Sequence, residues 1–371
     1  MKKILLSATA IVVVGAFALT GCSSERGGTP ASSGAAAKGF AADAKIGVAL
    51  PDKTSENWVL AGKLFTDGLS AAGFKPDVQY APASNTVAEQ QNQISAMVTS
   101  GAKVIIIGAK DGKQLSTQVK AAHDAGATVI AYDRLIENTD ALGYYVAFDN
   151  FKVGQLQGQA LLDGLAKRAG HPAPYNIELF SGSADDANSA VFFKGAMDVL
   201  DPKIKDGTLK VVSGQTEITQ TATDGWKAEN AQRRMDALLT ANYSSATLDG
   251  VLSPNDTLAR AIITSVQQAG KTVPVVTGQD SEVESVKSIM EGVQYSTINK
   301  DTTLLVAQAI KMTQELQKGS TVDVNDTKSY NNGVKVVPSF LLAPVIVTKE
   351  NAEQAYANVP ALLEIVKSYK K

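Results

Sequence analysis

The sequence predicts an α/β protein of two similar lobes, each a doubly wound parallel sheet with helices on both faces. Three observations predict it. Short apolar strands and amphipathic helices alternate from Lys45 onward. The run Val104–Ile107 is apolar at every position, as a parallel strand buried on both faces must be. The alternation also repeats: a first pass ends near Phe148 and a second begins at Lys152, with no shorter internal repeat.

Taken in order, Ile46–Leu50 is the first strand. Asn57–Ala72 follows at helical period and stops at Gly73. Val78–Tyr80 is the second strand. Thr86-Val87-Ala88-Glu89 fits a capping box, and its helix runs to Gly101, a residue suited to a helix C-terminus. After Val104–Ile107 comes a helix over Gln114–Asp124, then strands at Thr128–Tyr132 and Tyr145–Phe148. The second pass predicts helices at Gly154–Leu165, Asn188–Leu200, Ala228–Ala241, Leu258–Ala269 and Glu282–Glu291. Its strands fall at Asn176–Phe180, Leu209–Val212, Leu248–Leu252, Val273–Thr277 and Gln294–Ile298. A last long helix covers Thr303–Gln317, and a strand- and turn-like stretch follows Asn325. Short helices close the chain at Ala352–Ala357 and Ala361–Tyr369.

A chain of 371 residues exceeds one ordinary core, which agrees with two lobes. Hydrophobic residues make up 44% and charged residues 19%, the balance of a globular protein. The net charge of −2 gives no attraction to nucleic acid or to an anionic membrane surface. Residues 1–21 read as an export signal, with Lys2-Lys3 before a short apolar run. Leu19-Thr20-Gly21-Cys22 resembles the bacterial lipobox, whose cysteine takes a diacylglycerol and becomes the new N-terminus. Cys22 is therefore the expected lipidation site, and residues 22–43 the expected tether, too poor in apolar residues to fold alone. The protein is expected outside the cytoplasmic membrane, held there by lipid.

No cofactor or metal is expected. Cys22 is the only cysteine, and neither His123 nor His171 belongs to a ligand or base pattern. Gly108–Lys113 has the wrong spacing for a phosphate loop, and no GxGxxG, HExxH or GxSxG motif occurs. No nucleophile–base set supports an enzyme.

In open parallel sheets ligands bind beyond the carboxyl ends of the strands. Here those ends run into Asp133-Arg134, the stretch 181–188 with Asp185, Asp186 and Asn188, Ser253-Pro254-Asn255-Asp256, Gly278-Gln279-Asp280 and Asn299-Lys300-Asp301. Trp58 and Trp226 stand in polar contexts of the same kind. Carboxylates, amides and cations beside aromatic faces suit a sugar, whose C–H face packs on a ring and whose hydroxyls need donors and acceptors. Asp185 and Asp256 have a second reading as helix N-caps, Asp133-Arg134 as a structural ion pair, and the tryptophans as packing between lobes.

These stretches, with Phe148-Asp149-Asn150-Phe151-Lys152-Val153-Gly154 and Val336-Val337-Pro338-Ser339-Phe340-Leu341-Leu342, resemble the periplasmic sugar-binding proteins of ABC transporters, of the D-xylose-binding and multiple-sugar-binding kind. The likeness covers about Lys45 to Lys349. It implies a type I periplasmic binding protein fold, with lobe 1 formed by 44–150 and about 299–337 and lobe 2 by 151–298 and about 338–371. Three crossovers near Asn150, Ile298 and Val337 would form the hinge. The implied sugar contacts are Trp58, Asp133, Arg134, Asp186, Asn188, a stacking Trp226, Asn255, Asp280 and Lys300. Asn57 stands where the family has arginine, and a neutral amide cannot supply a guanidinium fork. The resemblance implies a monomer that binds a monosaccharide such as xylose, galactose, glucose or arabinose and docks on an ABC permease. A sugar-sensing partner of a membrane receptor or kinase is the alternative. The export signal opposes a sugar-responsive repressor.

Overall fold

The computed structural model describes residues 39–53, 55–82 and 87–369. The export signal, Cys22, most of the tether and Thr86 of the expected capping box lie outside the described residues.

The first pass contains β1 (Lys45–Leu50), α1 (Glu56–Ala71), β2 (Lys75–Tyr80), α2 (Val87–Thr99), β3 (Val104–Ile107), α3 (Ser116–Asp124), β4 (Thr128–Tyr132) and β5 (Tyr144–Phe148). The second contains α4 (Asn150–Arg168), β6 (Tyr175–Leu179), α5 (Ala187–Lys205), β7 (Leu209–Val211), α6 (Ile218–Thr221), α7 (Ala228–Asn242), β8 (Gly250–Leu252), α8 (Asp256–Gln268), β9 (Val275–Val276) and α9 (Val283–Glu291). The chain returns through β10 (Ser296–Asn299) and α10 (Thr302–Lys318). It ends in β11 (Ser339–Leu342), β12 (Val345–Thr348), α11 (Ala352–Ala355) and α12 (Pro360–Ser368).

The first sheet has the order β11-β5-β4-β3-β1-β2 and the second the order β7-β6-β8-β9, all pairs parallel. β1 lies between β2 and β3, and β6 between β7 and β8. At such a reversal the connections leave to opposite faces and open a crevice at the strand ends.

Strand alternation fills both faces of each sheet. Ile46, Val48 and Leu50 join Phe65 and Leu69 of α1 and Met312 of α10. Ala49, Ile105 and Ile107 join Ile94 and Met97 of α2 and Val119 of α3. In the second lobe, Val251 and Val276 pack against α7 and α8, while Ile177, Leu179 and Leu252 pack against α4 and α5.

The departures from expectation have local causes. β2 starts at Lys75, with Pro76 inside it, which the sheet edge tolerates because no ladder partner is lost. α4 begins at Asn150, where Asp149 accepts from the Lys152 N–H at 3.0 Å. The expected helix over Gln114–Asp124 divides into a 3₁₀ turn, Gly112–Gln114, and α3. β10 does not extend the second sheet but pairs antiparallel with β12. The third crossover falls later than expected: residues 339–342 pair with β5 in the first sheet, and Phe340 and Leu342 pack on the first-lobe core. The chain therefore crosses between Leu342 and Val345 rather than at 337–338.

Candidate functional site

The strand ends of the two sheets face each other across a cleft of about 570 Å³. Asn57, Trp58, Asp133, Arg134, Asp186, Asn188, Trp226, Asn255, Asp280 and Lys300 all line it. The first sheet contributes through the loops after β1, β3 and β4, and the second through the loops after β6, β7, β8 and β9.

Two ion pairs organise the floor. Arg134 Nε lies 3.0 Å from Asp186 Oδ2, so this pair joins the lobes, although the N–H is not aimed for a hydrogen bond. The guanidinium also donates to the Ala109 carbonyl at 3.1 Å and lies over the Trp58 ring, 5.4 Å from its centroid. Lys300 Nζ pairs with Asp280 Oδ1 at 2.9 Å and approaches the Phe192 ring at 5.5 Å. Burial pushes the Asp133 carboxyl above the usual carboxylate range, with Lys300 opposing and Asp186 adding to the rise. Burial works against the Lys300 charge too, but Asp280 and Asp133 outweigh it and hold the ammonium above its ordinary pKa. Paired charges that are recessed but hydrogen-bonded are the form in which charge survives away from water.

Several site residues hold unusual backbone. Asp133 (φ 62°), Trp226 (φ 56°) and Asp280 (φ 94°) lie in the left-handed region. That costs a residue with a Cβ on the order of 1–3 kcal/mol. The surroundings fix each turn. The Asp133 N–H donates to Val146 and the Asp280 N–H to Ile298, each across to a neighbouring strand.

Each tryptophan rests on a glycine. A Cβ on Gly108 would come within 2.9 Å of Trp58, and one on Gly182 within 2.2 Å of Trp226. Gly108 follows β3, and Gly182 lies shortly after β6, so each lobe seats its indole directly on backbone at a strand end. Trp58 also meets Tyr132 edge-on, with centroids 6.1 Å apart.

The N-caps prove to be neighbours of those expected. Asp186 caps α5, accepting from the Asn188 N–H at 2.9 Å, and Asn255 caps α8, accepting from the Leu258 N–H at 2.9 Å. Asp185 is exposed at the cleft mouth. Asp256 is buried, accepting from Gln294, Thr297 and the Glu282 N–H. Asn57 does not imitate an arginine: its Nδ2 reaches the Asp280 carbonyl and its Oδ1 the Thr302 hydroxyl, both at 3.5 Å.

Sequence reasoning missed two buried glutamines that shape the loops. On α2, Gln90 donates to the carbonyls of Ala49 and Gly108 and accepts from the Lys110 N–H. On α4, Gln157 donates to the carbonyls of Pro254 and Gly278. Each ties together two strand-end loops of its own lobe. It also missed Phe192, one helical turn beyond Asn188, and Asp52 and Lys110, an ion pair at 3.3 Å on the rim.

Such a cleft, with polar and aromatic groups converging from two sheets, suits a small polar solute. Residues 46–321 match the periplasmic binding protein domain. The chain belongs to that family: it is an extracytoplasmic binding protein with a type I α/β fold, not an enzyme. It is 48% identical to the multiple sugar-binding periplasmic receptor of Rhizobium radiobacter over 86% of this chain and 91% of that protein. It is 36% identical to the D-xylose-binding periplasmic protein of Escherichia coli, covering 84% and 88%. Among solved structures, an ABC transporter solute-binding protein from Clostridium phytofermentans with bound β-D-glucose matches with a TM-score of 0.80 and 39% identity, covering 86% of this chain and 99% of that one.

Proposed function

We propose that this protein is the solute receptor of an ABC importer and binds one aldopyranose monosaccharide between its lobes. The observation that carries the reading is the composition of the cleft: Asp133, Asp186 and Asp280, the cations Arg134 and Lys300, and the three amides Asn57, Asn188 and Asn255 line it with two indoles, one from each lobe. Hydroxyls are donors and acceptors at once. Asp133, Asp186 and Asp280 would accept from them, while Arg134 and Lys300 would donate to them. The indoles of Trp58 and Trp226 would cover the C–H faces of the ring. The relatives support a monosaccharide, since one is named for D-xylose and a solved structure carries β-D-glucose.

On this reading, lobe 1 (44–150 with 300–342) and lobe 2 (151–299 with 343–369) close on the sugar, because both contact it only when together. The closed form docks on the permease. Diacylglycerol on Cys22 keeps the receptor at the outer face of the membrane, two acyl chains holding far better than one. The test is a thermal-shift screen of xylose, galactose, glucose, arabinose, ribose and fructose. The expected result is a rise in Tm for at least one aldopyranose. No shift with any of them would overturn the proposal.

A further inference from the structure

We infer that the buried Tyr145 hydroxyl is a positioning group for ligand capture: it holds the Asp133 backbone in shape and, with Asn150 and Asn188, latches the second lobe to the first. This rests on the reading of the cleft as a sugar site between the lobes. Asp133, in its left-handed turn, offers its carbonyl oxygen to two donors. One is Tyr145 Oη on β5, at 2.7 Å. The other is Asn188 Nδ2, at 2.8 Å, from the start of α5 in the second lobe. Asn188 Oδ1 accepts from Asn150 Nδ2 at 2.9 Å and lies 3.2 Å from Tyr145 Oη. Asn150 stands at the first crossover, where its backbone N–H donates to Tyr330 Oη at 3.2 Å.

Tyr145, Asn150 and Asn188 are exposed by 0%, 2% and 3%, so these hydrogen bonds are made away from water and are costly to leave unmade. Separating the lobes breaks the Asn188 bond to Asp133 and parts Asn188 Oδ1 from Tyr145 Oη, whose one proton goes to the shorter bond with Asp133. The Tyr145–Asp133 bond stays within the first lobe and keeps the aspartate poised. Tyr145 does not line the cleft. Its effect is therefore indifferent to which sugar is bound, and it acts on the lifetime of the joined state.

The experiment is stopped-flow indole fluorescence on the full-length protein, with glucose, xylose and a deoxy-sugar series. Tyr145→Phe is expected to weaken every bound sugar by the same factor, about tenfold, through faster dissociation with association unchanged. Asn150→Ala, which removes the amide donor to Asn188, should do the same and serves if Tyr145→Phe does not fold. Tyr330→Phe removes a buried hydroxyl that meets the crossover but not the second lobe, and should leave dissociation near the wild-type rate. Wild-type dissociation rates in both Tyr145→Phe and Asn150→Ala, or a loss confined to one sugar, would overturn the latch while leaving the sugar site standing. Absence of sugar binding by the wild type would overturn the reading beneath it as well.

Discussion

At the residue scale, Asp133 combines strained backbone with a recessed charge. It occupies a left-handed turn, carries a carboxyl that burial drives upward, and faces Lys300 and Arg134. A protein spends conformational energy in this way where a side chain must be aimed. Asp133→Ala is expected to weaken sugar binding by about 1–3 kcal/mol, through loss of hydroxyl hydrogen bonds, and Trp226→Ala by a similar amount. Both are readable by isothermal titration. Gly182→Ala should reproduce much of the Trp226→Ala loss without touching the indole itself, because the new methyl would stand 2.2 Å from the ring. The same titration checks it, and undiminished affinity would show that the ring's seat is irrelevant. The polar cleft residues were legible because the rule that ligands gather at parallel strand ends needs only the strands to be located. Gly108, Gly182, Gln90 and Gln157 were not. Their importance comes from contacts with partners far along the chain, and residue spacing carries no signal of such contacts.

At the scale of elements, α4 and α5 meet through glycines. A Cβ on Gly154 would fall 2.0 Å from the Phe192 carbonyl oxygen, and one on Gly195 2.1 Å from that of Phe151. Both obstacles are backbone, so neither can swing away. Gly195→Ala should therefore lower Tm, costing about 1–3 kcal/mol as overpacking does. An unchanged melting curve would show that the helices can separate freely. The segment between α4 and β6 carries a titratable brace. His171 Nδ1 lies 2.8 Å from the Pro172 carbonyl and Nε2 3.0 Å from Asp249 Oδ1. Both partners are acceptors, so only the doubly protonated ring satisfies them. The Pro172 carbonyl first, and Asp249 second, raise the folded-state pKa above the ordinary histidine value. The stabilisation is thus fully present below about pH 6.5 and is lost as pH rises through the raised folded value. The Tm difference between wild type and His171→Ala should shrink from acid to alkaline pH. A difference that grew with pH would refute the brace. Elements with clear period and punctuation were legible, notably β3 and α10. Short strands were less so: β9 comprises only Val275–Val276, inside a longer apolar run whose ends its neighbours do not pair. β10 and β12 form their own antiparallel pair, and apolar patterning does not choose a partner strand.

At the scale of the molecule, three crossings join the lobes: β5 to α4, β10 to α10, and β11 to β12. Among the described residues, polar contacts join the lobes, including Arg134–Asp186, Asn188–Asp133 and Asn57–Asp280, and Ala187 of α5 packs on the first-lobe core. On the proposed reading, a ligand that touches both sides shifts such a joint toward closure. Small-angle scattering should show a smaller radius of gyration with saturating sugar than without. An identical radius would argue for a rigid cleft. The two-lobed plan was legible from the repeated alternation, whereas the last crossover was misplaced because Ser339–Leu342 is apolar enough to suit either sheet. The most direct measurement is isothermal titration of the wild type with D-glucose, beside the Asp133→Ala/Trp226→Ala double variant. The expected result is one sugar per chain at micromolar affinity, roughly −8 kcal/mol, for the wild type and a large loss in the variant. Equal affinity in the two proteins, or no saturable heat with D-glucose or any other aldopyranose, would contradict it.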